Sequence, residues 1–294
     1  MKVRANGLMI EVDDQGPRNA PAVLLMMGLG MQLTGWPDEF VELLLGHGFR
    51  VVRFDNRDAG LSDGFDHVGV PSIPLNVLRH FLRLRVRSPY ALKDMAADAV
   101  GVLDALGIAR AHVVGASLGG MIAQHVAATY AGRVASLALI MTTSGSRRLP
   151  GPTLAARRAL LSQPADGGPE ALIAHSIGVF TAIGSPSWPT APAALRQRVE
   201  ASIARASRPA GSARQLLAIA ADRDRTPMLA GIQAPTQVIH GAADPLIPAA
   251  NGRDLLARIP GALGDFIEGM GHDLPQALLA RMADSIAANA RRAT

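Results

Sequence analysis

In Val113-Val114-Gly115-Ala116-Ser117-Leu118-Gly119-Gly120 an apolar run stops at a serine framed by two glycines, and an apolar helical pattern begins two residues later. This succession predicts a strand, a tight turn and a helix. A serine at the tip of such a turn is held in strained backbone, with its hydroxyl above the end of the strand. Gly115 and Gly119 are required on this reading, because a Cβ at either position would strike the neighbouring strand or helix. Gly-x-Ser-x-Gly alone is weak evidence, since a surface turn with a capping serine has the same letters. The flanking sequence has to carry the decision.

Upstream, Leu8 to Val12 reads as a strand, and the continuous apolar run Ala22 to Met27 as a strand buried on both faces. That run ends at Gly28-Leu29-Gly30, and a helix follows from about Pro37 with Phe40, Leu43 and Leu44 on one side. Arg50 to Asp55 is the next strand. Leu92 to Leu106 has helical spacing and stops at Gly107. Beyond the serine come a helix to Tyr130 and a strand from Ser136 to Met141. Strands alternating with helices predict an α/β fold with a mostly parallel central sheet flanked by helices.

Between about residues 144 and 211 the alternation lapses, and prolines at 150, 152, 164, 169, 186, 189, 192 and 209 divide the chain into short helical pieces. This part, 144–211, is expected to be an inserted helical cap over the C-terminal edge of the sheet, with 1–143 and 212–294 forming the core. The sheet resumes at Thr236 to Gly241, followed by Asp244-Pro245; a strand near Leu263 to Ile267 is followed by Gly271-His272-Asp273.

An acid just past one parallel strand and a histidine just past the next lie at the same sheet edge as Ser117. Nucleophile, acid, histidine is also the chain order in which Ser117, Asp244 and His272 occur. A serine hydroxyl is a poor nucleophile at neutral pH, so a base must take its proton, and imidazole, with an ordinary pKa near ~6.5, suits the task. Asp244 would hold the productive tautomer and offset the charge that His272 gains. A tetrahedral intermediate needs two donors, for which the backbone N–H groups of Leu29 and Leu118 are the candidates.

Composition narrows the alternatives. The 294 residues are 49% hydrophobic and contain no cysteine, which excludes a disulfide framework, a thiol nucleophile and a cysteine zinc site. No pair of histidines has metal-ligand spacing beside an acid. The N-terminus lacks the apolar core of a signal peptide, and no apolar run approaches the ~20 residues that span a bilayer, so a cytoplasmic protein is expected. The net charge of +5 comes mostly from scattered arginines without aromatic interleaving, which argues against nucleic acid as a partner. Leu78 to Arg87 mixes leucines with arginines. It reads as a membrane-surface or lid helix or, more simply, as a solvated helix whose arginine stems cover apolar surface, and no stable membrane anchoring is expected. A homodimer stays open. A rival reading takes Gly28-x-Gly30 and Asp55 as a dinucleotide site, but Leu33 stands where the third glycine belongs.

The chain resembles the α/β-hydrolases from the Met27-Gly28-Leu29-Gly30 loop to His272. More narrowly it is similar to bacterial carboxylesterases and aclacinomycin methylesterases, through Gly35-Trp36-Pro37-Asp38-Glu39-Phe40, Arg57-Asp58-x-Gly60-x-Ser62 and the serine motif. The resemblance implies hydrolysis of a small-molecule carboxylic ester without a cofactor. Many relatives carry His-Gly where this chain has Met27-Gly28, which leaves the bracing of that loop to be found elsewhere. A lactonase, thioesterase or perhydrolase would use the same three residues, and a binding protein could keep the fold without turnover. Gly28, Trp36, Phe180 and Trp188 are the expected pocket residues, enclosing short to medium or methyl esters.

Overall fold

Lys2–Ala5 (β1) and Leu8–Gln15 (β2) form an antiparallel hairpin closed by Asn6-Gly7, both at positive φ (48° and 82°). Asn-Gly supplies the two left-handed residues that a two-residue hairpin turn demands. In chain order there follow Ala22–Met26 (β3), Asp38–Gly46 (α1), Arg50–Phe54 (β4), Ile73–Phe81 (α2), Leu92–Ala105 (α3), Ala111–Ala116 (β5), Leu118–Thr129 (α4) and Val134–Ile140 (β6). Next are Leu154–Leu161 (α5), Pro169–Ile183 (α6), Pro192–Arg205 (α7), Pro209–Ala221 (α8) and Thr226–Leu229 (α9). The chain closes with Thr236–Gly241 (β7), Ala250–Arg258 (α10), Leu263–Ile267 (β8) and Leu279–Ala290 (α11). This computed structural model describes every residue except 83, 163–167, 223 and 294, and only the backbone of 80 and 81; Arg83 and Pro164 therefore lie outside the described residues.

One sheet runs in the order β1-β2-β4-β3-β5-β6-β7-β8, with β3 to β8 mutually parallel and β2 antiparallel to β4. β3 alternates its side chains between two cores. Leu24 and Met26 join residues of α3 and α4 on one face, while Val23 and Leu25 join Phe40 and Leu44 of α1 and Met282 and Ile286 of α11 on the other. Strands covered on both faces read as unbroken apolar runs, which is why the Ala22–Met27 stretch shows no alternation.

The strand order reverses between β3 and β5, and at such a reversal the two following loops diverge and leave a crevice at the C-terminal edge. Met26 pairs with Gly115, so continuing the register brings Gly28 opposite Ser117.

The helical excursion after β6 consists of α5 to α8, and the short α9 leads from it into β7. The prolines at the starts of α6, α7 and α8 open helices and do not break them, because the first turn needs no N–H and favours the fixed φ of proline. α8 runs unbroken across residue 212, so the excursion continues to about Ala221, beyond the boundary drawn from the sequence at 211. α2 likewise starts earlier than the Leu78–Arg87 reading, at Ile73, with Pro74 in its first turn. No helix among the described residues is long and apolar enough to cross a membrane.

Candidate active site

Ser117 has φ 54° and ψ −117°, a left-handed conformation that a non-glycine residue holds only when its surroundings enforce it. The enforcement is visible. The Ser117 amide donates to Ile140 O at 3.0 Å, and the Thr142 hydroxyl donates to Ser117 O at 2.7 Å. A Cβ on Gly115 would lie 2.2 Å from Gly119 O, and one on Gly119 would lie 2.0 Å from Met26 O. Strand, helix and neighbouring strand thus meet at distances that only hydrogen in place of a side chain permits.

Asp244 and His272 meet directly: His272 Nδ1 lies 2.8 Å from Asp244 Oδ2, and both residues are buried. The other carboxylate oxygen accepts from the amides of Leu246 and Ile247, both at 2.8 Å, so Asp244 is fixed by its own turn. Because the carboxylate only accepts, the histidine nitrogen facing it carries the proton, and Nε2 is left as the basic site. Among the described residues Ser117 Oγ makes no hydrogen bond, to His272 or to any other group.

His240 on β7 is fully buried behind Asp244. Its Nε2 donates to Ile247 O at 2.7 Å and lies 3.5 Å from Asp244 Oδ2. Burial pushes its pKa below the ordinary histidine value, so it is a neutral packed side chain.

The loop after β3 lies against the serine. A Cβ on Gly28 would be 3.2 Å from Ser117 Cβ. The amides of Leu29 and Leu118 donate to no protein group among the described residues, while the Gly30 amide is taken by Gln215 Oε1 at 2.8 Å. Asn56 Nδ2 donates to Met27 O at 3.0 Å, and Asp55 Oδ1 accepts from Leu33 N at 2.6 Å. These contacts supply the bracing that the missing histidine leaves open.

Four successive residues after β4 share this scaffolding. The Asp55 carboxylate, fully buried, also takes Leu61 N and Arg205 at 2.8 Å each, which leaves nothing for a ribose. Arg57 holds Asp98 with two bonds (2.5 and 2.6 Å) and stacks its guanidinium over Phe65 and Tyr90. Asp58 takes a two-pronged bond from Arg214 of α8 (2.8 and 2.7 Å), together with Phe65 N and the Tyr90 hydroxyl. Burial alone would raise the Asp58 carboxyl; Arg214, the Phe65 amide and Tyr90 outweigh it and hold the pKa below the ordinary value. Asp63 and Asp66 also take part: Asp63 accepts from Met9 N at 2.8 Å, and Asp66 pairs with Arg214 at 2.6 Å while staying exposed.

The excursion between β6 and β7 is bound to the histidine loop. His272 N donates to Ile183 O at 2.7 Å, and the Ser185 hydroxyl accepts from Gly271 N at 2.8 Å while donating to Asp273. Burial raises the Asp273 carboxyl above its ordinary pKa despite the Ser185 bond. Beside this loop is a cavity of about 420 Å³ lined by Phe180, Leu195, Arg198, Ala243, Pro245 and Asp273. A second cavity of about 630 Å³ has Met121, one turn along α4 from Ser117, in its wall, with Leu84, Val86, Thr143 and Leu216.

Of the expected pocket residues, Gly28 adjoins Ser117 and Phe180 lines the smaller cavity, but neither tryptophan lines either of these two cavities. Trp36 is wholly buried in the core on the α1 face, stacked on Phe40 with ring centroids 5.4 Å apart. The 3-10 turn Leu33–Gly35 carries the chain from the loop down to that face. Trp188 is 38% exposed and donates from Nε1 to Glu268 O at 3.3 Å, on the outside of the excursion.

The family model of the alpha/beta hydrolase fold matches residues 21–275. Rhodomycin D methylesterase DauP of Streptomyces sp. (strain C5) is 31% identical, with 95% of this chain and 93% of the relative covered. Rhodomycin D methylesterase DnrP of Streptomyces peucetius is 29% identical over the same shares. Among solved structures, a meta-cleavage product hydrolase from Pseudomonas fluorescens superposes with a TM-score of 0.77 at 19% identity, covering 100% of this chain and 98% of that one. An enol-lactonase from Burkholderia xenovorans superposes with a TM-score of 0.70 at 26% identity, covering 100% and 99%. With the serine turn, the reversal of strand order beside it and a family match over most of the sequence, the chain belongs to the α/β-hydrolase family.

Proposed function

We propose that the protein is a serine carboxylic-ester hydrolase that works through Ser117, His272 and Asp244. The observation that carries this reading is the strained Ser117 turn, flanked by two undonated amides and set at the same sheet edge as the His272–Asp244 pair. His272 Nε2 takes the hydroxyl proton as Ser117 Oγ attacks the ester carbonyl carbon. The negative oxygen that forms accepts from the Leu29 and Leu118 amides. His272 then returns the proton to the departing alcohol oxygen, and an acyl group stays on Ser117. Water attacks the acyl carbon, gives its proton to His272, and the acid leaves as Ser117 is reprotonated. Asp244 keeps the imidazole in one tautomer and offsets its transient charge.

The methylesterase relatives support methyl esters of bulky acids as substrates, next to short and medium acyl esters. The excursion from about residue 144 to Ala221 acts as the cap, with Phe180 contributing to the enclosed space. A lactone presents the same carbonyl, and the likeness to an enol-lactonase favours it as the second reading.

The test is a panel of p-nitrophenyl esters, methyl esters of polycyclic acids and lactones, run with wild type and Ser117→Ala, alongside labelling by a fluorophosphonate. Turnover and labelling at Ser117 are expected in wild type, and neither in the variant. Normal hydrolysis by Ser117→Ala would sink the proposal. Turnover confined to lactones would replace the first reading with the second.

A further inference from the structure

α2 is built inside out. Asn76, 3% exposed, faces the protein: its Nδ2 donates to Ser72 O at 3.0 Å and its Oδ1 accepts from Arg87 N at 2.8 Å. The opposite side carries Leu75, Leu78 and, just past the helix, Leu82, with Val77 on one flank. Together with Val70 before the helix and Leu84 after it, these side chains are between 40% and 59% exposed. A surface helix normally turns its apolar stripe to the core and its polar side to water. Leu75, Leu78 and Leu82 stay exposed despite the neighbouring arginines. Arg79 is drawn along the chain to donate to Arg85 O at 2.8 Å.

The charge along this stretch of sequence is one-sided, although Asp222 and Asp224 share a cavity wall with Arg85. From His67 to Lys93 the sequence contains no Asp or Glu, but four arginines (79, 83, 85 and 87) and one lysine (93). That sum, +5, equals the formal net charge of the whole chain. Arg85, Arg87 and Lys93 are exposed. A second copy of the chain would bring two such cationic faces together and be repelled. An exposed apolar face beside cations, on a helix too short to span a bilayer, has the character of a segment that lies in the headgroup plane.

We propose that α2 and the segment to Arg87 dock this protein reversibly on anionic lipid surfaces. Leu75, Leu78 and Leu82 enter the acyl boundary, and Arg85 and Arg87 sit at the phosphate level. Leu84, Arg85 and Val86 also line the larger cavity, so docking sets that cavity's wall against the lipid, from which an apolar ester could be drawn. A neutral oil surface offers nothing to the arginines, which distinguishes this docking from the interfacial behaviour of a lipase. The inference does not depend on the chemistry at Ser117.

Flotation of the full chain with vesicles of phosphatidylcholine, alone or mixed with phosphatidylglycerol, tests it. Binding is expected on the anionic vesicles only, weakening as salt is raised. Arg85→Gln and Arg87→Gln should each weaken it about fivefold, the equivalent of ~1 kcal/mol per cation near such a surface. Leu78→Asp should abolish binding while circular dichroism and hydrolysis of a soluble short-chain ester stay unchanged; Leu82→Ser is a milder second variant. Absence of binding to anionic vesicles, or equal binding to neutral ones, would overturn the proposal. So would a dimer in sedimentation equilibrium that Leu78→Asp dissociates, because a second copy would then be what covers the face.

Discussion

Gln215 on α8 is fully buried, accepting from Gly30 N at 2.8 Å and donating to Arg57 O at 2.7 Å. Gln215→Leu fills nearly the same space and leaves one amide and one carbonyl without a partner. Each such buried group costs about 1–3 kcal/mol, so roughly 2–6 kcal/mol of stability should be lost, readable as a lower urea midpoint. The Gly30 amide is the residue next to Leu29, whose own N–H is the proposed donor to the oxyanion. Loss of one such donor costs about 10²–10³ in kcat, and a loop released but not removed should forfeit from about tenfold up to that range. KM should change far less, since the donor acts on charge that develops in the transition state. Gln215→Glu separates the two effects: it keeps an acceptor for Gly30 N and loses the donor to Arg57 O, so stability should fall while kcat is largely retained. If both variants have the same kcat, or if Gln215→Leu stays within about threefold of wild type, α8 does not position the loop and the reasoning fails.

Asp244→Asn should lower kcat by about 10⁴ by trapping the wrong imidazole tautomer, and a variant within tenfold of wild type in steady-state assays would point to another acid. Arg214→Met should cost about 3–5 kcal/mol, because it leaves the Asp58 carboxylate buried with only the Phe65 amide and the Tyr90 hydroxyl. With the Asp58 pKa held below the ordinary carboxylate value, its contribution is present at neutral pH and disappears as pH falls through the acid range; denaturation of wild type and Arg214→Met should therefore converge at low pH. Asp273 has the opposite sign, since burial raises its pKa and the ionised form opposes folding. Asp273→Asn should leave stability at pH 8 unchanged or higher in thermal unfolding, and a clear loss there would show that the charge is needed. Gly119→Ala, with its Cβ 2.0 Å from Met26 O, should prevent soluble expression or lower the unfolding midpoint severely.

Local signals made the serine turn and the parallel sheet legible. Apolar runs, glycines at fixed offsets and chain order all act over a few residues, and Asp244 and His272 follow from strand ends. The first strand could have been read too, since Asn6-Gly7 is a hairpin signal, but Lys2–Ala5 is short and half exposed. The bracing of the loop after β3 was not legible, because Asn56, Gln215 and Arg205 reach it across 29, 185 and more than a hundred residues by side-chain bonds that leave no periodicity. Closeness in sequence to that loop suggests Trp36 for the pocket, whereas a single 3-10 turn puts it under the sheet. The prolines were legible for a different reason: at the first turn of a helix they start it, and so they divide the excursion into separate helices.

The backbone of Ile183 and the hydroxyl of Ser185 hold the loop that presents His272. Exchange of helical insertions between relatives is a natural way to look for new substrate ranges, and in this chain such a graft cannot be cut at the edges of the sheet. A foreign insertion must reproduce a carbonyl at the place of Ile183 and an acceptor for Gly271 N, or the residues from 183 to 185 must travel with the host. On the proposed mechanism, the insertion and the base His272 are therefore inherited together, and variation in the insertion is constrained at the segment from 183 to 185.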